Sequence, residues 1–259
     1  MKYIDSHLHL DHILNNRPEW VDWMQEKAYF PVSWAFAKQV GSVSDVKNYL
    51  AAKVSTVREL NHFRLPCRFL AGIHPRNIVP ELKPESVREL ILPCLEMPLC
   101  LGIGEIGLET AGSHETEVLQ AQLELFKEVA DLDKVYGIHT PRANKAAVTR
   151  KTLDMLTDYE QIKDRIVVDH CLPETIGDVL SSGVWAGITI SPTKASEADV
   201  RAMISRYEDH IPEMMMNTDS GASFYEDLYQ FSRLEDIDTG VRESLTRSNA
   251  ARFFRLPIY

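Results

Sequence analysis

The chain has 259 residues, 44% hydrophobic and 25% charged, with a formal net charge of −10. That length sustains a large core, and apolar runs broken by charge well short of the roughly 20 residues needed to cross a bilayer exclude a membrane-spanning helix. With no block of lysine or arginine, an electrostatic track for indiscriminate polyanion binding is excluded as well. Asp5 and two histidines stand where a secretory signal would carry its apolar stretch, so a cytoplasmic location is expected. Cys67, Cys94, Cys100 and Cys171 form neither a CxxC pair nor a zinc-finger spacing and read as buried free thiols.

In chain order, short apolar runs alternate with longer amphipathic ones. A strand from Tyr3 to His9 comes first, then a segment from Asp11 to Phe36 longer than an ordinary connection and rich in aromatics (Trp20, Trp23, Tyr29, Phe30, Trp34). That segment either covers the site as a lid or packs its aromatics on the side of the fold, and the second arrangement is favoured. A weak strand from Val32 to Ala37 precedes a helix from Val43 to His62, a strand from Arg68 to His74 and a helix from Pro84 to Glu96. The next pair is a strand from Leu99 to Glu105 and a helix from His114 to Lys134, whose apolar face carries Val118, Leu119, Leu123, Phe126 and Ala130. Strands from Val135 to His139, Ile166 to His170, Trp185 to Ser191 and Met214 to Asp219 complete the series. Helices from Asn144 to Asp158, Pro173 to Ser181, Ser196 to Tyr207 and Phe224 to Phe231 follow them in turn. No linker divides this repetition, which predicts one domain over residues 1–259, a (βα)8 TIM barrel with a parallel sheet.

Such barrels place their chemistry at the C-terminal ends of the strands. The residues there are His7 and His9, His74, Glu105, His139, His170 and Asp219. His7 and His9, at i and i+2 of a strand, share one face. Imidazoles and carboxylates without thiolates suit Zn²⁺, Mn²⁺, Fe²⁺ or similar ions, and four histidines with two carboxylates exceed one tetrahedral centre. Two divalent ions, Zn, Mn, Mg or Fe, are therefore the expected cofactors, roughly 3.5–4 Å apart with a bridging carboxylate and hydroxide. Arg142 and Lys145 after the fifth strand, and Lys194 after the seventh, are placed to reach over the mouth toward an anion, with Arg142 favoured. Alternation puts Asp5 on the face of His7 and turns Asp169 away from His170, which leaves Asp169 equally suited to orienting an imidazole and to an ion pair outside the barrel. Of the remaining histidines only His12 is near enough to the site to matter.

His7-Leu8-His9, Gly72-Ile73-His74-Pro75, Gly104-Glu105-Ile106-Gly107-Leu108, His139, His170 and Thr218-Asp219, in this order, resemble the TatD family of metal-dependent hydrolases within the amidohydrolase superfamily. The resemblance implies a deoxyribonuclease-like or other hydrolase activity. It makes His7, His9 and Asp219 ligands of one ion, His139 and His170 ligands of the second, Glu105 the bridge, Asp219 the proton acceptor and His74 a substrate contact. Three positions depart from the family pattern: Glu109 stands where the family has Asp, Ser220-Gly221 replaces its x-Pro, and Arg142 lies one residue later than its His-x-Arg. These mark a divergent TatD-related branch. The expected activity is phosphodiester hydrolysis on a phosphorylated or other small anionic substrate, with a nucleic-acid end among the possibilities. Hydrolysis of a small ester, lactone or amide is the alternative, and a non-catalytic metal-binding scaffold the third reading.

Overall fold

Val, Ile and aromatic residues in short runs form strands, because branched and flat side chains fit a pleated surface, and here eight such runs pair in parallel in the order β1 to β8. The computed structural model describes residues 1–129 and 132–257. The strands are β1 (Tyr3–Leu8), β2 (Tyr29–Ser33), β3 (Arg68–Leu70), β4 (Cys100–Gly107), β5 (Val135–His139), β6 (Ile166–Val168), β7 (Trp185–Thr189) and β8 (Met214–Asn217). Beyond β8 the chain returns to β1: the Asp219 N–H donates to the His7 carbonyl (3.0 Å) and the His9 N–H to the Ser220 carbonyl (2.7 Å). These two bonds close the (βα)8 barrel at its C-terminal rim and bring both ends of the sheet to one place.

Two short helices, α1 (Leu10–Asn16) and α2 (Glu19–Glu26), occupy the first connection. The long helix α3 (Val43–Phe63) opens with Ser42 accepting from the Asp45 N–H. Next come α4 (Pro84–Leu95), α5 (Ser113–Glu124), α6 (Lys145–Leu156), α7 (Ile176–Ser181) and α8 (Glu197–Arg206), the last entered through a reciprocal Ser196/Asp199 capping box. The chain ends with α9 (Asp227–Phe231), α10 (Thr239–Glu243), a π-helical turn and α11 (Asn249–Phe253). Among the described residues no helix is long and apolar enough to cross a membrane. All four cysteines are buried and free.

β2, β3 and α5 differ most from the sequence expectation, β3 ending at Leu70 rather than at His74, which instead opens a 3₁₀ turn. The second strand covers Tyr29–Ser33 rather than Val32 to Ala37, because the apolar run outlasts the pairing: Trp34 and Ala35 leave the ladder to donate to the carbonyls of Leu8 and Gly104. The helix expected from His114 to Lys134 stops at Glu124 and tightens into a 3₁₀ turn at Leu125–Lys127, while Ala130 lies outside the described residues. The aromatic segment from Asp11 to Phe36 is divided: Trp20 stacks on Phe224 beyond β8 at 4.4 Å, Tyr29 and Phe30 belong to β2, Trp34 enters the barrel core and Phe36 lines the mouth of the site.

The core has two parts. One lies between sheet and helices; in the other, Ile4, Phe30, Val32, Trp34, Leu70, Val135, Val167 and Met215 are joined by Phe253 at the end of α11 and by Phe254 just after it. Trp34 is the largest fully buried side chain. Its ring is accommodated by Gly137, where a Cβ would stand 2.5 Å from it. Directly beneath the histidines, Trp34 stacks on His7 at 4.0 Å and 13°, so the site rests on packed core.

Candidate metal centre

Glu105, on β4 and 2% exposed, is the hub. Its Oε2 faces His7 Nε2 (3.4 Å) and His9 Nε2 (3.8 Å). Its Oε1 faces His139 Nδ1 (2.7 Å), His170 Nε2 (3.3 Å) and His74 Nε2 (3.6 Å). The two carboxylate oxygens thus divide the histidines into two sets. Asp219 Oδ1 sits on the first, 3.1 Å from His9 Nε2 and 3.9 Å from His7 Nε2.

What aims these rings is a buried polar layer. His7 Nδ1–H donates to Asp169 Oδ2 at 2.5 Å, and Asn217 Nδ2 donates to the other oxygen of Asp169 at 2.8 Å. The Thr189 hydroxyl donates to Asn217 Oδ1 and therefore accepts from His170 Nδ1–H at 2.7 Å. His9 Nδ1–H is held by the Trp34 carbonyl at 3.1 Å. In the neutral form of each of these rings the proton sits on Nδ1 and the Nε2 lone pair is left toward the carboxylates, the arrangement that metal-ligating histidines require. His7 Nε2 is buried with no hydrogen-bond partner. A buried orphan nitrogen aimed at a carboxylate cluster fits a divalent ion, and so does the donor set of imidazole and carboxylate.

Asp169 was expected to turn away from His170. It faces inward, because β6 ends at Val168 and His170 takes a left-handed conformation with φ 60°, so that both consecutive side chains point at the barrel axis. Asp219 is left-handed too, with φ 52°. Such backbone costs about 1–2 kcal/mol per residue and persists where surrounding contacts over-determine it. Gly187 on β7 makes room for Asp169; a Cβ there would lie 2.3 Å from Oδ1. Asp5 does not orient an imidazole. A bulge between Asp5 and Leu8 breaks the alternation, and the Asp5 carboxylate accepts from the Thr218 N–H and hydroxyl, bracing the end of β8.

Groups whose donor atoms lie close enough to hold one ion are His7/His9/Glu105, His7/His170/Asp219 and His74/Glu105/His139. His170 is thus drawn toward Asp219 as well as toward Glu105. His74 differs from the rest: its Nδ1 accepts from the Arg76 N–H at 3.0 Å, so the neutral ring carries its proton on Nε2 and presents a donor.

The cavity over the centre is about 210 Å³, with Arg76, Arg142 and Lys194 in its lining. Lys194 reaches Asp219 Oδ2 at 3.3 Å, and Arg142 lies beside it, donating to the Thr193 hydroxyl at 3.3 Å. Lys145, expected as a third anion contact, does not reach the mouth. Its buried ammonium donates to Thr140 Oγ1 (2.7 Å) and the His170 carbonyl (2.9 Å), tying the ends of β5 and β6 together. Arg76, Phe36 and Glu109 were not foreseen. Arg76 lies over the Phe36 ring, and Glu109 Oε2 is 3.0 Å from His139 Nε2. The one available signal for Glu109 was its departure from the family's aspartate.

Burial alone would raise the Glu105 carboxyl, but the imidazoles around it, His74 and His7 foremost, hold it well below the usual carboxylate range. Asp219 is held low in the same way, chiefly by its hydrogen bond with His9. Burial disfavours the charged form of His7, yet Glu105 and Asp169 outweigh it and push that imidazole up to about 10. Where burial prevails, as at His12, His74 and His170, the imidazole falls to about 4.

Residues 4–222 match the family model described as TatD related DNase. The chain belongs to the TatD family. It is 31% identical over 196 residues to an uncharacterised metal-dependent hydrolase of Methanocaldococcus jannaschii, covering 71% of this chain and 72% of that one. A crystal structure of a TatD-like protein from Archaeoglobus fulgidus is 29% identical, with a TM-score of 0.69 over 98% of this chain and 100% of that one. The β-aspartyl dipeptidase of Fervidobacterium islandicum shares the fold at 12% identity, with a TM-score of 0.66 over 98% of this chain and 72% of that one. This TatD-family protein is accordingly a metal-dependent hydrolase.

The depressed imidazoles fix a pH dependence. Between the ordinary value of 6.5 and about 4, His12, His74 and His170 take up protons in the unfolded chain but not in the folded one, so stability is lost as pH falls through that window. Asp5, raised to about 7 by burial, works in the opposite direction but is one group against three. Thermal melts of the chelator-treated hydrolase should show a lower Tm at pH 4.5 than at pH 6.5; a rise would contradict this balance.

Proposed function

We propose that this TatD-family hydrolase cleaves phosphodiesters with two divalent ions held by His7, His9, Glu105, His139, His170 and Asp219. The observation that carries the two-ion reading is the division at Glu105: one oxygen toward His7 and His9, the other toward His139 and His170. Zn, Mn or Fe suits these donors best, and Mg, which prefers oxygen, less well. When bound, such ions polarise the scissile group and supply a water nucleophile at neutral pH.

The chain's own residues do the rest. Asp219, held ionised, takes a proton from the attacking water, and Lys194 at its second oxygen fixes the carboxylate's orientation. His74 Nε2–H donates to a phosphate oxygen, Arg142 offers its planar fork, and Arg76 adds charge across the mouth. Lys194 pairs with Asp219 and Arg76 with Glu109 (3.4 Å), so the guanidinium of Arg142 is the cation that favours a phosphate over a neutral carbonyl group. The net charge of −10 favours a small substrate or a nucleic-acid end over long duplex, in keeping with a cytoplasmic protein. A small ester, lactone or amide is the second reading, favoured only by that same overall acidity.

Metal analysis of the purified protein should give two ions per chain. Hydrolysis of a simple phosphodiester should vanish on chelation and return with Mn²⁺ or Zn²⁺. No turnover of any phosphodiester at full loading, with turnover of an ester or amide, would replace the first reading with the second; turnover of neither would leave a scaffold.

Glu109 orients His139 in this reading. With Nδ1 toward Glu105, Nε2–H donates to Glu109, the carboxylate–histidine pairing that typically governs metal affinity by 10–100-fold. Glu109→Ala should weaken the second ion about tenfold or more in competition with a chelating dye, leaving the first bound. Equal retention of both ions would remove Glu109 from this role.

A further inference from the structure

A second cleft adjoins the mouth. It measures about 420 Å³, twice the space over the metal centre, and His12 lines both. We propose that this cleft is a subsite for an uncharged, hydrogen-bonding group of nucleoside or sugar size attached to the scissile phosphate.

The lining selects that chemistry. Asn15 at the end of α1 and Gln39 after β2 supply amides and Thr56 on α3 a hydroxyl, while Asn16 offers its Oδ1, its Nδ2 donating to the His12 carbonyl, and the Tyr49 hydroxyl already accepts from the Phe36 N–H. Amides offer donor and acceptor together, the pattern that base edges and sugar hydroxyls answer. The deeper charges cancel: Lys53 Nζ lies 2.8 Å from Asp11 Oδ1 and 2.8 Å from the Ser33 hydroxyl, leaving Lys38 as an exposed cation at the rim. An anionic ligand would meet little net positive charge there, and an apolar one would strand the amides unpaired. The volume falls within the 300–1,000 Å³ typical of small-molecule sites. At the boundary, the Phe36 ring stands 5.7 Å from the His12 ring and offers an apolar face beside the polar ones. A phosphate over Glu105 would send one substituent past His12 into this cleft. Only that placement rests on the hydrolase reading; the cleft's own ligand does not.

Ala52, exposed on α3, lines the cleft, so Ala52→Trp fills it from a position where the fold tolerates bulk. Thymidine and methyl glucoside serve as probes for the two sources of such a group, titrated by ligand-observed NMR into chelator-treated protein. Saturable binding of either one, abolished in Ala52→Trp, is the expected result, and which one binds identifies the source. Binding of neither, or binding indifferent to Ala52→Trp, overturns the proposal. In the metal-loaded enzyme, the kcat/KM preference for a thymidine p-nitrophenyl phosphodiester over methyl p-nitrophenyl phosphate should fall about tenfold in Ala52→Trp. If no phosphodiester is turned over, the phosphodiester reading fails while the NMR titration still decides the subsite.

Discussion

In the two-ion phosphodiesterase proposed above, Glu105→Gln should lower the metal content to less than one ion per chain and cut kcat/KM on a phosphodiester by about a thousandfold, ~4 kcal/mol of barrier. Glutamine keeps the size of the side chain but loses the charge that faces five imidazoles within 4 Å. One amide oxygen cannot serve both histidine sets, and the amide nitrogen is a donor where lone pairs are needed. Metal analysis beside circular dichroism separates loss of ions from loss of fold. A folded variant that kept two ions and activity within tenfold of the parent would remove Glu105 from the centre of the site.

Asp219→Asn should leave substrate binding largely intact and lower kcat by about 10²–10⁴, the usual contribution of a positioned base. The amide keeps the size of the carboxylate but cannot take a proton, and Lys194 loses its charged partner. A loss confined to kcat assigns Asp219 to the transition state, whereas a matching rise in KM would assign it to binding. Unchanged activity would deprive the catalytic reading of its base.

The barrel was legible because short apolar runs alternate with longer amphipathic ones along the whole chain, and because the chemically capable residues fall where these runs end. His139 on β5 follows that rule directly: Val135, Gly137 and His139 lie on the inner face, with Gly137 against Trp34 and His139 against Glu105. The resemblance to the TatD family was legible for the same reason, since its motifs are these strand ends, and residues 4–222 match the family.

Alternation stops being a guide where the strand does. Asp169 faces the site only because His170 turns left-handed one residue beyond β6. The bulge in β1 separates Asp5 from His7. Lys145 is drawn inward to the Thr140 hydroxyl and the His170 carbonyl, although its position after β5 looked open to solvent. Glu109 and Arg76 stand in connections with no periodicity to read, and they meet His139 and Phe36 through the approach of neighbouring strands.

The sequence by itself therefore determined the fold, the family and the donor types at the rim, because periodicity and residue chemistry are local properties of the chain. Only the tertiary structure decided which ring nitrogen faces inward, how Glu105 divides the histidines and which cations reach the mouth. Those depend on hydrogen bonds between residues far apart in sequence, such as Asp169 with His7 and Lys194 with Asp219, and no local pattern encodes them.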